Sequence, residues 1–421
     1  MSAQIKNLDT IAFTAARRKV LDIVQAGVQS IDTIEVVKEK FVLDGDILSV
    51  CGKAYDLKKY KNIYVVGFGK ASGRAVIAVE EVLGSRIADG LVISLTAAST
   101  EHIKVVAGTH PLPSPQNVVA SEQILEICKK AKEDDLIICV ISGGGSSLFC
   151  GDMEECEQDT RLYTEYLKTN GEIVELNTVR KHISNVKGGG LAKAMYPATA
   201  IGLIFSDIAG ANCDFVTSGP TYYDNTTIAD AEKIIKKYNL GEFKLIETPK
   251  DKKYFDKVAN YEIVSNVKAL ESMVARAKEF GVPAHIMTAA CYSDAQQAFT
   301  DLERECKKGE LVLAGGEVRV TVTRSGGTGG RCEYMGMAIL ERIAPGETFC
   351  AFASDGLDNS NCAGVIIDSD TQKRAIDLKI DPVEHLHKFD GYGLFAALGK
   401  EQIFTGITES NVSDWLLLYK E

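Results

Sequence analysis

Short β-branched runs alternate with longer amphipathic stretches along almost the whole chain. Residues 63–66 (IYVV), 91–93 (LVI), 105–106 (VV), 136–141 (LIICVI) and 200–205 (AIGLIF) read as buried strands. The stretches between them carry apolar residues at helical spacing, as Val119, Ile124, Leu125, Ile127 and Cys128 do within 116–132. A pattern that switches between the two periods argues for α/β layers with a mostly parallel sheet.

Charged, weakly patterned sequence over 241–260 reads as a surface connector. Beyond it the alternation resumes, with strands over 261–264 and 284–287 and helices over 267–280 and 290–306. Residues 311–314 and 318–322 then flank Gly315-Gly316-Glu317, a spacing that suits a hairpin and hence a mixed second sheet. With 421 residues, at roughly 100–200 per domain, two or three domains fit. Two α/β domains with a ligand cleft between them is the expectation.

The formal net charge is −11, and no basic run offsets it. Such a surface repels nucleic acid and anionic membrane, so neither is expected as a partner. An acidic protein that handles an anion must gather its cations locally. The eleven cysteines include no C-x-x-C pair and no accompanying histidine cluster, which reads as reduced thiols in a cytoplasmic protein. The first twenty residues contain no apolar block with a cleavage site, so no signal peptide is expected. No apolar run approaches the ~18 residues that span a bilayer.

Several glycine turns could receive an anion. The strand over 136–141 runs into Ser142-Gly143-Gly144-Gly145-Ser146-Ser147. Glycines there permit φ > 0 and leave backbone N–H groups open to a phosphate or carboxylate, although a tight strand-to-helix turn has the same look. In the stretch 65–75 (VVGFGKASGRA), Ser72 stands where a dinucleotide fingerprint needs its third glycine, and Lys70 sits at the mouth of the strand. Arg180, Lys181, His182 and Lys187, followed by Gly188-Gly189-Gly190, form a local basic cluster that reads equally as an anion site or a solvated helix face. Gly326-Gly327-Thr328-Gly329-Gly330-Arg331 opens a helical pattern and suits a carboxylate or phosphate clamp. Asp207 follows a strand, where it is a metal or ligand group or a helix cap. Asp355 and Asp358 close another strand, and either suits Mg²⁺, which prefers oxygen ligands. His110 lies in the rigid turn Thr109-His110-Pro111-Leu112-Pro113. No G-x-x-x-x-G-K-[ST], H-E-x-x-H or G-x-S-x-G is present.

Taken in order, V-G-F-G-K-A, T-H-P-L-P, strand–GGGSS, N-T-V-R-K-H with K-G-G-G, S-D-I-A-G with T-S-G-P-T, G-G-T-G-G-R and S-D-G-L-D resemble the class II glycerate 2-kinases. The resemblance spans residues 9–415. It implies two three-layer α/β/α domains, the first Rossmann-like with a mostly parallel sheet and the second with a mixed sheet. The first would occupy 1–240 and the second 241–421, with the C-terminal region called MOFRL at about 308–415. It implies transfer of the ATP γ-phosphoryl group to the 2-hydroxyl of D-glycerate, with Mg²⁺, in a protein that could form a homodimer.

By motif position, the resemblance makes Lys70 and Arg331 catalytic. Ser142, Gly143, Gly144, Gly145, Ser146, Ser147, Lys187, Gly188 and Gly189 would bind phosphate or nucleotide. Arg180, His110, Gly329 and Gly330 would bind substrate, and Asp207 and Asp355 metal. Phosphoryl transfer is mostly positioning and charge neutralisation, which suits a lysine and an arginine.

The chain departs from the family pattern at three places. G-G-R-N-Q-E reads Gly329-Gly330-Arg331-Cys332-Glu333-Tyr334, the Asp of H-P-x-P-D is Ser114, and T-G-P-T-G-T-N-V-N-D reads TGITESNVSD over 405–414. Another small hydroxy acid or sugar acid therefore fits as acceptor. An NAD-dependent hydroxy-acid reductase and a non-catalytic protein that binds a small anion are the competing readings.

Overall fold

A computed structural model of the protein describes residues 4–169, 171–206, 213–322, 326–408 and 410–421. It divides into two compact units, one of residues 33–206 and 213–264, the other of residues 4–32 with the described residues from 265 to 421. The helix α1 (Ala15–Ser30) belongs to the second of these, and its wholly buried Arg17 donates to Asp368 at 2.7 Å. Residues 4–32 are therefore grouped with the C-terminal half, not with the first sheet as the 1–240 expectation had it.

The first unit opens with α2 (Thr33–Lys40) and an antiparallel meander of β1 (Phe41–Asp44), β2 (Ile47–Val50) and β3 (Lys53–Asp56). Then follow β4 (Ile63–Phe68), α3 (Ser72–Leu83), β5 (Ile87–Ser94), β6 (Lys104–Ala107), α4 (Pro115–Lys130) and β7 (Leu136–Ser142). The unit ends with α5 (Met153–Tyr166), α6 (Ile173–His182), β8 (Thr199–Phe205), α7 (Ile228–Tyr238) and β9 (Val258–Val264). Its six-stranded sheet has the order β6-β5-β4-β7-β8-β9, and every pair is parallel. Every residue of β7 is buried, as a strand covered on both faces must be, which explains its unbroken apolar sequence.

β9 corrects the expected division near residue 240. It pairs along β8 from Ala200↔Val258 to Phe205↔Val264, so the strand after the charged connector completes the first sheet. An unpaired β8 edge would expose a row of backbone donors and acceptors, and β9 covers it.

In the second unit come α8 (Asn266–Glu279), β10 (Ala284–Thr288), α9 (Ala295–Glu305), β11 (Leu311–Gly316), α10 (Arg331–Ile339), β12 (Glu347–Ala353) and β13 (Gly364–Asp368). After these are α11 (Ser369–Asp377), α12 (Pro382–Lys388), α13 (Gly391–Leu398), β14 (Gln402–Ile403) and β15 (Asp414–Lys420). The sheet order is β10-β11-β15-β12-β13-β14, parallel between β10 and β11 and antiparallel elsewhere. The mixed sheet is as expected, but the hairpin at Gly315-Gly316-Glu317 does not form. Both edges of β11 are taken, by β10 and by β15, so residues 318–322 have no edge to pair with and make only an isolated bridge at Arg319. Phe299 and Phe349, edge to face at 5.6 Å, anchor this unit's core.

Candidate active site

In the first sheet the chain leaves β4 toward β5 and leaves β7 toward β8, so β4 and β7 are neighbours whose connections depart in opposite directions. Ligands of open α/β sheets settle at the carboxyl ends of such a strand pair. Here those ends carry Gly69-Lys70 and Gly143-Gly144-Gly145. The two turns are tied together: the Lys70 N–H donates to the Gly143 carbonyl at 2.9 Å, and the Ala71 N–H donates to Ser142 Oγ at 3.0 Å. Gly69 has φ +130°, and a Cβ there would stand 2.1 Å from Ser142 Oγ, so no other residue fits. Gly144 has φ +80°, and a Cβ on it would meet Lys70 Cε at 3.0 Å and His110 Cδ2 at 3.1 Å. Lys70 and His110 therefore both lie over the middle glycine of the loop.

Among the described residues nothing pairs with the Lys70 ammonium, which is exposed, and nothing accepts from the N–H groups of Gly144, Gly145 and Ser146. Burial, aided by the Lys70 charge, pushes the His110 imidazole down to about 4, so it is neutral at pH 7. The arrangement offers an anion one full positive charge, a row of backbone donors and a neutral imidazole.

Not every expected residue of this loop faces outward. Ser142 Oγ lies 2.9 Å from Ser72 Oγ and is buried, and Ser147 Oγ donates to the Pro111 carbonyl at 2.6 Å. Both hydroxyls hold the loop rather than point from it. Ser146 Oγ lies 3.2 Å from Ser218 Oγ. Ser218 and its neighbour Thr217 were not among the expected site residues. Both have φ > 0, at 57° and 54°, and Thr217 Oγ1 donates to the Ser142 carbonyl at 3.1 Å. Two consecutive non-glycine residues in that region mark a turn held by its surroundings. The motif T-S-G-P-T was the visible signal for it.

The basic cluster lies elsewhere in its chemistry. Lys187 is buried and paired with Glu155; burial opposes its charge, but Glu155 holds it above the usual lysine range. Arg180 donates to Asp159 at 2.6 Å and Lys181 to Asp224 at 3.2 Å, all buried. The Gly188 and Gly189 N–H groups donate to the Ser218 and Gly219 carbonyls. The Gly188 and Gly189 bonds tie this turn to residues 218 and 219, and each of the three cations is answered by a buried acid, while no bond among the described residues occupies Arg180 Nη1 or Nη2. Asp207 lies outside the described residues.

In the second unit, β11 and β12 run in the same direction on either side of β15, and their carboxyl ends carry Glu317 and residues 354–358. Arg331 opens α10 beside them, as its sequence position suggested. Its Nε donates to Asp414 at 2.8 Å and its Nη2 lies 3.1 Å from Glu317, while the side chain stays 40% exposed. The guanidinium is thus aimed by two carboxylates and retains accessible donors. The helix N-terminus is not free, contrary to expectation: the Cys332 and Glu333 N–H groups donate to the buried Asp358 carboxylate at 3.1 and 2.7 Å. Asp358 therefore caps a helix. Asp355 Oδ1 accepts from the Leu357 N–H at 3.0 Å. Among the described residues no three His, Cys, Asp or Glu side chains gather around a point that could hold a metal ion.

The departures from the family pattern sort by where they point. Cys332 and Glu333 face the interior, where Gln402 donates to Glu333 at 3.0 Å. Ser114 stands at the start of α4, where its hydroxyl donates to Asn117 Oδ1 at 3.2 Å and caps no backbone N–H. Tyr334 alone of these lines the cavity beside Arg331, with Gly329 and Gly330.

A family model described as "Domain of unknown function (DUF4147)" matches residues 19–247, and the MOFRL family matches residues 310–414. A glycerate 2-kinase of Pyrococcus horikoshii is 32% identical, over 93% of this chain and 94% of that protein. The chain belongs to the MOFRL-containing glycerate 2-kinase family. The D-glycerate 2-kinase of Thermotoga maritima is also 32% identical, over 84% of this chain and 90% of that protein. The crystal structure of a Thermotoga maritima glycerate kinase superposes with a TM-score of 0.82 at 28% identity, covering 96% of this chain and 99% of that one. A protein of Agrobacterium vitis, 32% identical over 83% of this chain and 85% of its own length, has a name that assigns it, provisionally, the reduction of hydroxypyruvate. No helix among the described residues is long and apolar enough to cross a membrane.

Proposed function

We propose that the protein phosphorylates the 2-hydroxyl of D-glycerate, with ATP as donor, giving 2-phosphoglycerate and ADP. The observation that carries this reading is the unpaired Lys70 ammonium over a glycine loop with open N–H groups, at the switch point of a parallel sheet. Those groups neutralise a transferring phosphoryl, whose charge spreads over its equatorial oxygens. His110, neutral at pH 7, adds a hydrogen-bonding edge without adding charge. Arg331, aimed by Asp414 and Glu317, holds a carboxylate or a phosphate next to Gly329 and Gly330. Mg²⁺ would be held mainly by the nucleotide phosphates, with Asp355 and Asp207 as candidate carboxylates; such ions take one or two protein oxygens and keep several waters.

The relative named for hydroxypyruvate reduction keeps a nicotinamide-dependent reaction as a second reading. Against it stands Ser72, buried where a dinucleotide fingerprint has glycine, its Oγ donating to the Phe68 and Val140 carbonyls. The discriminating measurement is ADP release with ATP and Mg²⁺ over D-glycerate, L-glycerate and a panel of hydroxy and sugar acids, beside NADH oxidation with hydroxypyruvate. Turnover of D-glycerate is expected. NADH oxidation without ADP release would replace the kinase reading with the reductase.

A further inference from the structure

Beside Arg331 the second unit holds a cavity of about 310 Å³. One wall is Val318, Val320 and Val322; another is Tyr334, stacked on Phe389 at 5.7 Å with 14° between the rings; Met337 also lines it. Every carbon of glycerate bears oxygen, so glycerate could meet Arg331 and the glycine turn but has nothing to set against three valines and two aromatic rings, and hydroxyls buried against them would be unpaired. The lining sets this apolar wall beside polar groups and calls for a flat ring with a polar edge. It also supplies one polar reader: Asn359 borders the cavity, is exposed, and meets no hydrogen-bonding partner among the described residues. A side-chain amide presents a donor and an acceptor side by side, which matches the edge of a nucleobase. Arg331 stands at the same cavity, where a phosphate chain leaving the base would meet a guanidinium.

We propose that this cavity receives the purine base of the phosphoryl donor, stacked on Tyr334 and read along its edge by Asn359. The inference rests on the reading of the chain as a nucleotide-dependent kinase and deepens it. A glutamate at position 334, as in the usual family motif, would offer no stacking face, whereas Tyr334 does. Stacking of a base on an aromatic side chain tolerates many rings, whereas the Asn359 contact selects among them.

The test uses the full chain, with adenosine and ATP as probes, followed by saturation-transfer NMR and calorimetry. Tyr334→Ala is expected to weaken adenosine and ATP binding roughly tenfold or more, a loss typical of a removed stacking face. It should raise KM for ATP in parallel and leave KM for D-glycerate within about twofold. Tyr334→Phe, which keeps the ring, should bind like the parent, and Asn359→Ala should weaken adenosine more than it weakens inosine. If Tyr334→Ala raises KM for the acceptor while adenosine affinity holds, the cavity is the acceptor pocket and the proposal is overturned. Failure of the parent protein to bind adenosine overturns it as well. Loss of adenosine binding in Tyr334→Ala, in a protein that phosphorylates no acceptor, would uphold the base site and remove the glycerate reading instead.

Discussion

Two lysines border glycine turns in the first unit, and their surroundings give them opposite work. Lys70 is exposed, lies over Gly144 and has no counter-ion among the described residues. Lys187 is buried against Glu155. Replacing Lys70 by alanine should lower kcat by about 10²-fold or more, because a fixed charge aimed at a developing one is lost. The melting temperature should stay near that of the parent, since nothing in the fold leans on the ammonium. An unchanged kcat would remove Lys70 from the chemistry. Lys187→Ala should do the reverse. It leaves Glu155 charged and uncompensated in the interior, a loss of about 3–5 kcal/mol that urea denaturation would register. A Lys187→Ala protein as stable as the parent, but with weakened ATP binding, would make Lys187 a phosphate ligand after all. The sequence shows both lysines beside glycines and cannot separate them. The acids that answer the basic cluster, Glu155, Asp159 and Asp224, lie between 21 and 43 residues away from their partners and are paired with them only by the fold.

At the scale of elements, the turns were easier to read than the pairings. The β4 and β7 turns are legible because strand, glycine and helix follow one another locally, and the geometry they need is local as well. Gly69→Ala tests that geometry. Its φ of +130° and the Ser142 hydroxyl 2.1 Å from any Cβ should strain the turn by roughly 1–3 kcal/mol. The Lys70 backbone, hydrogen-bonded to Gly143, should shift with it, so kcat should fall more than stability alone explains. Parent-like kcat and urea midpoint would show that the two turns are not rigidly coupled. What the sequence could not show is non-local. β15 arrives from the C-terminus to occupy the β11 edge that a hairpin would have used, and β9 crosses the charged connector to finish the first sheet. Residues 318–322 have the β-branched composition of a strand, but composition does not reveal whether an edge is vacant. The cap on α10 was hidden for the same reason, since Asp358 stands 25 and 26 residues beyond the N–H groups it accepts from.

Across the whole molecule, buried acids set how stability should depend on pH. Burial pushes Glu333 up to about 7, against the hydrogen bond from Gln402, and pushes Asp414 up to about 7, against the pull of Arg331. In the unfolded chain both would ionise near pH 4. Between about pH 4 and 7 the folded protein therefore holds protons that the unfolded chain has released, so stability falls as pH rises through that window and levels off above it. His110 acts in the opposite sense, because burial lowers it to about 4; its contribution grows with pH up to about 6.5. Acids held below their usual range, such as Asp224 and Asp368, stabilise the fold fully above about pH 4 and lose that contribution only in more acidic solution. Glu333→Gln isolates one of these effects. The amide can still accept from Gln402 and donate to Ser360, and it restores the glutamine of the family motif. The variant should gain on the parent by roughly 2–3 kcal/mol between pH 5 and pH 8, since it has no proton to lose. Differential scanning calorimetry at the two pH values reads this as a gap in Tm that widens toward pH 8. His110 is common to both proteins and cancels in the comparison. A gap that stays constant would mean that Glu333 is ionised in the fold across the whole range, with Gln402 and Ser360 outweighing its burial.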